Sequence, residues 1–190
     1  MLRNLVVKSR SYRKYKEDYK INDNILDDLV DITRFCPSAG NLQSLKYYVA
    51  NTPETCNKIF ETLSWAGYYT DWNGPSEGER PTAYIVICGD TNISKNFFCD
   101  YGITAQTMLL AAVEKGLGGC IFGSIQREKL RENLSIPNQL EILIVVAIGM
   151  PDEEVILEDI KEDACIKYYR DTNGVHHVPK RKLDDIRIKI

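Results

Sequence analysis

Between Ile25 and Phe35 apolar residues recur at Ile25, Leu29, Ile32 and Phe35, with Leu26 and Val30 beside them, the spacing of one helical face. Pro37 ends that helix, because proline cannot continue its hydrogen-bond ladder. Leu45 to Ala50, carrying Tyr47, Tyr48 and Val49, is a short run of strand formers and predicts a buried strand. Thr52-Pro53-Glu54 then supplies an N-cap and a Pro at the first helical position, opening a helix predicted to run to about Trp65.

Tyr68 to Arg80 mixes Gly67, Gly74, Pro75 and Gly78 with aromatic and polar side chains, which predicts a long surface loop and a candidate lid over a binding site. Thr82 to Cys88 and Glu141 to Ile148 are β-rich runs ended by Gly89-Asp90 and Gly149, and both are expected to be central strands. Tyr101 to Lys115 is apolar on nearly every face, so it predicts a helix buried all round, partly by a subunit interface. Strands interleaved with helices imply an α/β or α+β sandwich.

A chain of 190 residues suits one domain, 1–190, with a full hydrophobic core. The composition, 44% hydrophobic and 27% charged, is that of an ordinary globular protein, and the net charge of −3 argues against nucleic acid as a partner. The start, Met1 to Lys8, is too short and too quickly basic for a signal peptide, and no apolar run approaches the ~20 residues of a membrane span. A cytoplasmic protein without membrane partners is expected. The six cysteines form no C-x-x-C pair and the only histidines are His176 and His177, so reduced structural thiols and no metal are expected.

Generic nucleotide motifs fail. Gly116-Leu117-Gly118-Gly119 lacks the third glycine of G-x-G-x-x-G, and Gly118 to Ser124 lacks the lysine of a P-loop. Three other segments have the chemistry of a phosphate and flavin site. Ser9-Arg10-Ser11-Tyr12-Arg13 puts two guanidinium groups and two serine hydroxyls in five residues, although a solvated basic start reads the same. Cys36 to Gln43 combines small residues with Ser38, Asn41 and Gln43, which could bond a polar ring edge; alone it is equally a helix stop. Val178-Pro179-Lys180-Arg181-Lys182 is a cationic cluster suited to phosphate, or an exposed basic tail.

Taken in order, Arg10-Ser11-x-Arg13-x-Tyr15, Pro37-Ser38-Ala39-x-Asn41-x-Gln43, the glycine run Gly116 to Gly123-Ser124 and Pro179-Lys180-Arg181 resemble the motifs of the nitroreductase family over almost the whole chain. The resemblance implies an α+β fold, a central mostly antiparallel sheet flanked by helices, in a homodimer with one FMN in each of two interface sites. It implies that Arg10, Ser11, Arg13, Lys180 and Arg181 hold phosphate and ribityl, and that Pro37, Ser38, Ala39 and Asn41 reach the flavin edge from the other subunit. Phe122, Gly123 and Ser124 are implied beside the ring, with a backbone N–H toward flavin N5. The sequence departs from many relatives at Ser9, where they have Arg, and at Ser44-Leu45, where they have Pro-Trp.

The activity implied is two-step: NADH or NADPH reduces the flavin, which then reduces a small organic acceptor such as a nitroaromatic or quinone. No side chain is then needed as acid or nucleophile, and Arg13 would favour the reduced, anionic ring by charge placed beforehand. A specialised branch reducing an enone, removing a halogen or breaking down a flavin is the alternative, as is a flavin-binding protein with little turnover.

Overall fold

The computed structural model describes residues 1–160 and 165–189. Its helices are α1 (Leu2–Lys8), α2 (Asp23–Asp31), α3 (Pro53–Phe60), α4 (Asp100–Glu114), α5 (Arg127–Leu134) and α6 (Leu183–Ile186). Its strands are β1 (Leu45–Ala50), β2 (Ala83–Asp90), β3 (Gly118–Phe122), β4 (Leu140–Gly149), β5 (Val155–Asp159), β6 (Tyr169–Arg170) and β7 (His176–Lys180).

The central sheet has the order β1-β2-β4-β3 and every pair is antiparallel. Strand alternation sends Tyr84, Val86 and Cys88 of β2 into one apolar layer and Ala83, Ile85 and Ile87 into the other. The sheet is therefore covered on both faces, one bearing Ile59 of α3 and Leu130 of α5, the other Leu26 and Leu29 of α2 with Met108 and Ala112 of α4. This is the expected α+β sandwich. A smaller sheet, β5-β7-β6, stands apart from it.

Local signals explain most boundaries. Asn22 caps α2 by accepting from the Asn24 N–H at 3.0 Å, and Thr52 caps α3 from the Thr55 N–H at 3.2 Å. The helix expected from Ile25 to Phe35 is α only to Asp31 and finishes as a 3₁₀ turn, Ile32–Phe35. The one expected to reach Trp65 stops at Phe60; Leu63 instead bridges to Ile125 and Trp65 packs on Phe122 from irregular chain. Along α4, Thr104, Ala105, Met108, Leu109, Ala111 and Ala112 are buried, but Ile103, Leu110 and Val113 are only half-buried and Gly102, Gln106 and Glu114 are exposed. Within one protomer the helix is thus covered on most of its circumference rather than all of it.

The segment from Ser11 to Lys16 edges the sheet. Ser11 bridges Gly119 in parallel, the Tyr12 N–H donates to the Gly119 carbonyl at 3.1 Å, and the Lys16 N–H donates to Met150 at 2.9 Å. Glycine is required where that segment packs. A Cβ on Gly118 would fall 2.4 Å from the Tyr12 ring, and one on Gly149 would fall 2.6 Å from Tyr15. The fold thereby carries Arg13 onto the β3 edge.

Candidate active site

Arg13 is buried, at 7% relative exposure. Its guanidinium donates to the Ser11 carbonyl and to His176 Nε2, both at 3.1 Å, and its Cζ lies 4.4 Å from the centre of the Tyr168 ring. Among the described residues no carboxylate forms an ion pair with it. The carboxylate nearby, Glu153, is taken up otherwise: it accepts the N–H groups of Arg13 and Lys14 and pairs with Arg170 at 2.7 Å. Glu153 therefore fixes the turn that aims Arg13, and leaves the Arg13 charge without a partner of its own.

His176 completes the arrangement. Burial first, then the Arg13 and Arg170 cations and His177, push its pKa down from 6.5 to about 4, so it is neutral at neutral pH. A guanidinium can only donate, so Nε2 accepts from Arg13 and the proton of the neutral ring sits on Nδ1. Nδ1–H then donates to the Tyr69 hydroxyl at 2.9 Å. Tyr69 belongs to the irregular segment expected as a lid, and its ring and that of Tyr168 both lean on His176, with centroids 5.8 and 5.4 Å away.

Ser11, Arg13, Phe122, Gly123 and Ser124 border one open cleft, with a cavity volume of about 150 Å³. The Phe122 ring is buried against Trp65 at 4.6 Å, so what Phe122 offers the cleft is main chain. The next two residues are pinned from behind, the Gly123 carbonyl by Arg127 at 3.3 Å and the Ser124 carbonyl by the Ser64 N–H at 3.1 Å. A Cβ on Gly123 would meet nothing within 4 Å, so the main chain there is open to a flat ligand.

Five of the residues expected from sequence thus meet at one cleft: Ser11, Arg13, Phe122, Gly123 and Ser124. Arg10 does not line it: its guanidinium turns back to the Val6 carbonyl and its buried Nε has no partner among the described residues. Pro37 and Ser38 border a different cavity, beside Asp100. There the Ser38 hydroxyl donates to Asp100 Oδ2 at 2.7 Å and accepts the Gln43 N–H at 3.0 Å, while the Ala39 N–H donates to the same carboxylate at 3.2 Å. Gly40 and Asn41 follow in left-handed conformation, φ 57° and 54°, which leaves Asn41 exposed. Lys180 and Arg181 are exposed at and after the end of β7 and do not line the cleft.

Sequence reading missed His176, Tyr168, Tyr69 and Glu153, and also Asp100. The adjacent histidines were visible but pointed to nothing beyond the lack of a zinc pattern. Asp100 alone had a local signal, an acidic residue opening the apolar helix α4.

The Nitroreductase family model matches residues 6–70 and 78–150. An Archaeoglobus fulgidus protein named "Putative NADH dehydrogenase/NAD(P)H nitroreductase" is 28% identical over 158 residues, covering 79% of this chain and 85% of its own. The solved structure of an FMN-dependent nitroreductase from Clostridium difficile superposes with a TM-score of 0.66 at 25% identity, over 81% of this chain and 89% of the other. A nitroreductase family protein from Streptococcus pneumoniae, 15% identical, shares the fold over the full length of both chains with a TM-score of 0.72.

Proposed function

Because this chain belongs to the nitroreductase family, we propose that it is an FMN-dependent NAD(P)H oxidoreductase that passes electrons to a small organic acceptor such as a nitroaromatic or a quinone. The observation that carries the reading is Arg13, a buried guanidinium with no carboxylate partner among the described residues, bordering a cleft that Gly123 also lines with open main chain. A desolvated charge of this kind is costly until an anion reaches it.

The donor set fits FMN: cations and hydroxyls at one end, a flat glycine-edged wall at the other. Bound there, FMN supplies a ring that takes hydride from a reduced nicotinamide and returns electrons to the acceptor. Arg10, Ser11 and Arg13 would hold its phosphate and ribityl, and Phe122, Gly123 and Ser124 its ring flank. Lys180 and Arg181 are proposed for the same anionic end and would have to reach it from the exposed stretch after β7. Arg13 contributes positive charge that neutral His176 holds in place without competing for the anion.

Pro37, Ser38, Ala39 and Asn41 are proposed to close the cleft of a second protomer. In support, their loop is held away from the cleft of its own chain by Asp100, and it is flanked by exposed Phe35, Leu42 and Phe98, at 75%, 43% and 56% exposure. Such an apolar margin favours association. Among the described residues no helix is long and apolar enough to cross a membrane.

The test is direct. Protein purified with FMN supplied should be yellow, should release FMN and not FAD on heating, and should oxidise NADH or NADPH with a nitroaromatic or quinone as acceptor. A colourless protein would refute the cofactor; a yellow one inert with every reductant would refute the oxidoreductase. Turnover only with an enone or a halogenated acceptor would move the chain to the specialised alternative.

A further inference from the structure

A second cavity, sharing no residue with the flavin cleft, lies where the turn after Gly78 meets α3 and the start of β2, with a volume of about 100 Å³. Three buried polar atoms of its wall residues have no hydrogen-bond partner among the described residues: Arg80 Nε, the Thr82 hydroxyl and the Tyr84 hydroxyl. We propose that this cavity is a binding site for a small organic monocarboxylate, whose oxygens satisfy Arg80, Thr82 and Tyr84 and whose apolar body rests on Phe60 and the flanking prolines.

The chemistry selects an anion. Arg80 can only donate, and both hydroxyls can donate, so a ligand meeting all three must be an acceptor at that end. Tyr84 is fully buried, at 0% exposure, and an unpaired hydroxyl at such a depth is rare in native structures. Positive charge is in excess at the wall, where Arg80 and Lys20 stand against the one carboxylate of Glu17. Glu17 is the acidic wall, but its carboxylate accepts the N–H groups of Gly78 and Arg80 and so is engaged in shaping the turn. Among the described residues the Arg80 side chain makes one long hydrogen bond, 3.4 Å to Asn57 Oδ1, and is laid over the Phe60 ring at 4.3 Å. Lys20 adds a second cation at the wall.

Besides polar Asn51 and Asn57, the lining has an apolar part. Phe60, Pro53 and Pro81 give the body of the ligand a dry surface, which a bare inorganic anion would not use. Cys56 offers neither a nucleophile nor a metal ligand, since burial pushes its thiol up to about 12. The site is thus suited to holding a carboxylate and not to transforming one.

The probe is isobutyrate, titrated calorimetrically into protein saturated with FMN, with neutral isobutyramide as the isosteric control. One site per chain is expected, with isobutyramide and the variant Arg80→Gln each weaker by roughly tenfold or more, the usual scale of a charge-assisted contact. Tyr84→Phe, which keeps the ring and removes the orphaned hydroxyl, should weaken isobutyrate several-fold. Flavin absorbance should not change during the titration. Absence of binding at about 10 mM, equal binding by Arg80→Gln, equal binding of isobutyramide, or a flavin spectral change in step with binding would each overturn the proposal. If the protein proves to bind no flavin, the same titration on colourless protein decides the question separately.

Discussion

Replacing His176 by glutamine should make the protein less sensitive to acid. In the folded chain His176 titrates near 4 and its ordinary value is 6.5, so the unfolded chain binds the proton first as pH falls. The depressed value means that the neutral ring stabilises the fold fully above 6.5, and that this contribution is lost as pH falls from there through about 4. Integrating the two titrations between about pH 7.5 and about pH 5 gives a loss of about 2 kcal/mol from this one group. Glutamine has an oxygen to accept from Arg13 and an amide to donate to Tyr69, and it does not titrate. Urea unfolding of both proteins, at one concentration and without added flavin, isolates the histidine because other titrating groups cancel in the difference. With a slope of about 2 kcal/mol per molar urea, the wild-type midpoint should fall by about 1 M more than that of the variant over this interval. Parallel losses in the two proteins would refute a neutral, buried His176 and with it the assigned tautomer.

Arg13→Ala should weaken FMN by roughly tenfold or more in a fluorescence titration, as expected for a lost charge-assisted bond; unchanged affinity would remove Arg13 from the site. Gly119→Ala should destabilise the fold by about 1–3 kcal/mol, because its Cβ would fall 2.3 Å from the Ala147 carbonyl oxygen and 2.6 Å from Leu109; an unaltered denaturation midpoint would show that β3 can move away. Mixing an Arg10→Ala, Arg13→Ala chain with a Ser38→Ala, Asn41→Ala chain should restore part of the FMN-dependent activity, since one site of the heterodimer would be intact. No recovery after demonstrated subunit exchange would place the whole site within one chain.

What the sequence made legible was whatever depends on near neighbours. β1 begins and ends where its strand formers do, and β2 and β4 follow their apolar runs, because strands buried on both faces need continuous apolar sequence. The end of α3 was hidden because Leu63 and Trp65 continue an apolar pattern that they satisfy from a bridge and from irregular chain. The small sheet escaped notice because β5 and β7 are short, parallel and separated by the whole stretch between Asp159 and His176. At the cleft, the Arg10 to Arg13 segment stood out by residue type, whereas Phe122 to Ser124 followed only from the family resemblance. His176 did not, since its burial is made by Arg13, Tyr69 and Tyr168, which come from three distant parts of the chain. The glycine run was legible as glycines but not in purpose: Gly118 and Gly119 make room for Tyr12 and Leu109.

The seam by which the N-terminal segment joins the sheet also governs the order in which the cleft comes into being. Arg13 waits for Glu153, 140 residues further on, and for His176, 163 residues further on. Contacts of such high order carry a closure entropy that local helices and hairpins do not, and they form after those have condensed. Tyr15, wholly buried in the finished protein, bridges Pro151, so its seat is complete only when β4 and the residues after it are in place. The amides of Tyr12 and Tyr15 donate to Gly119 and Glu79, so a pulse-labelled chain should gain protection there late, together with the pairing of β3 and β4, and the contact of Arg13 with His176 should follow.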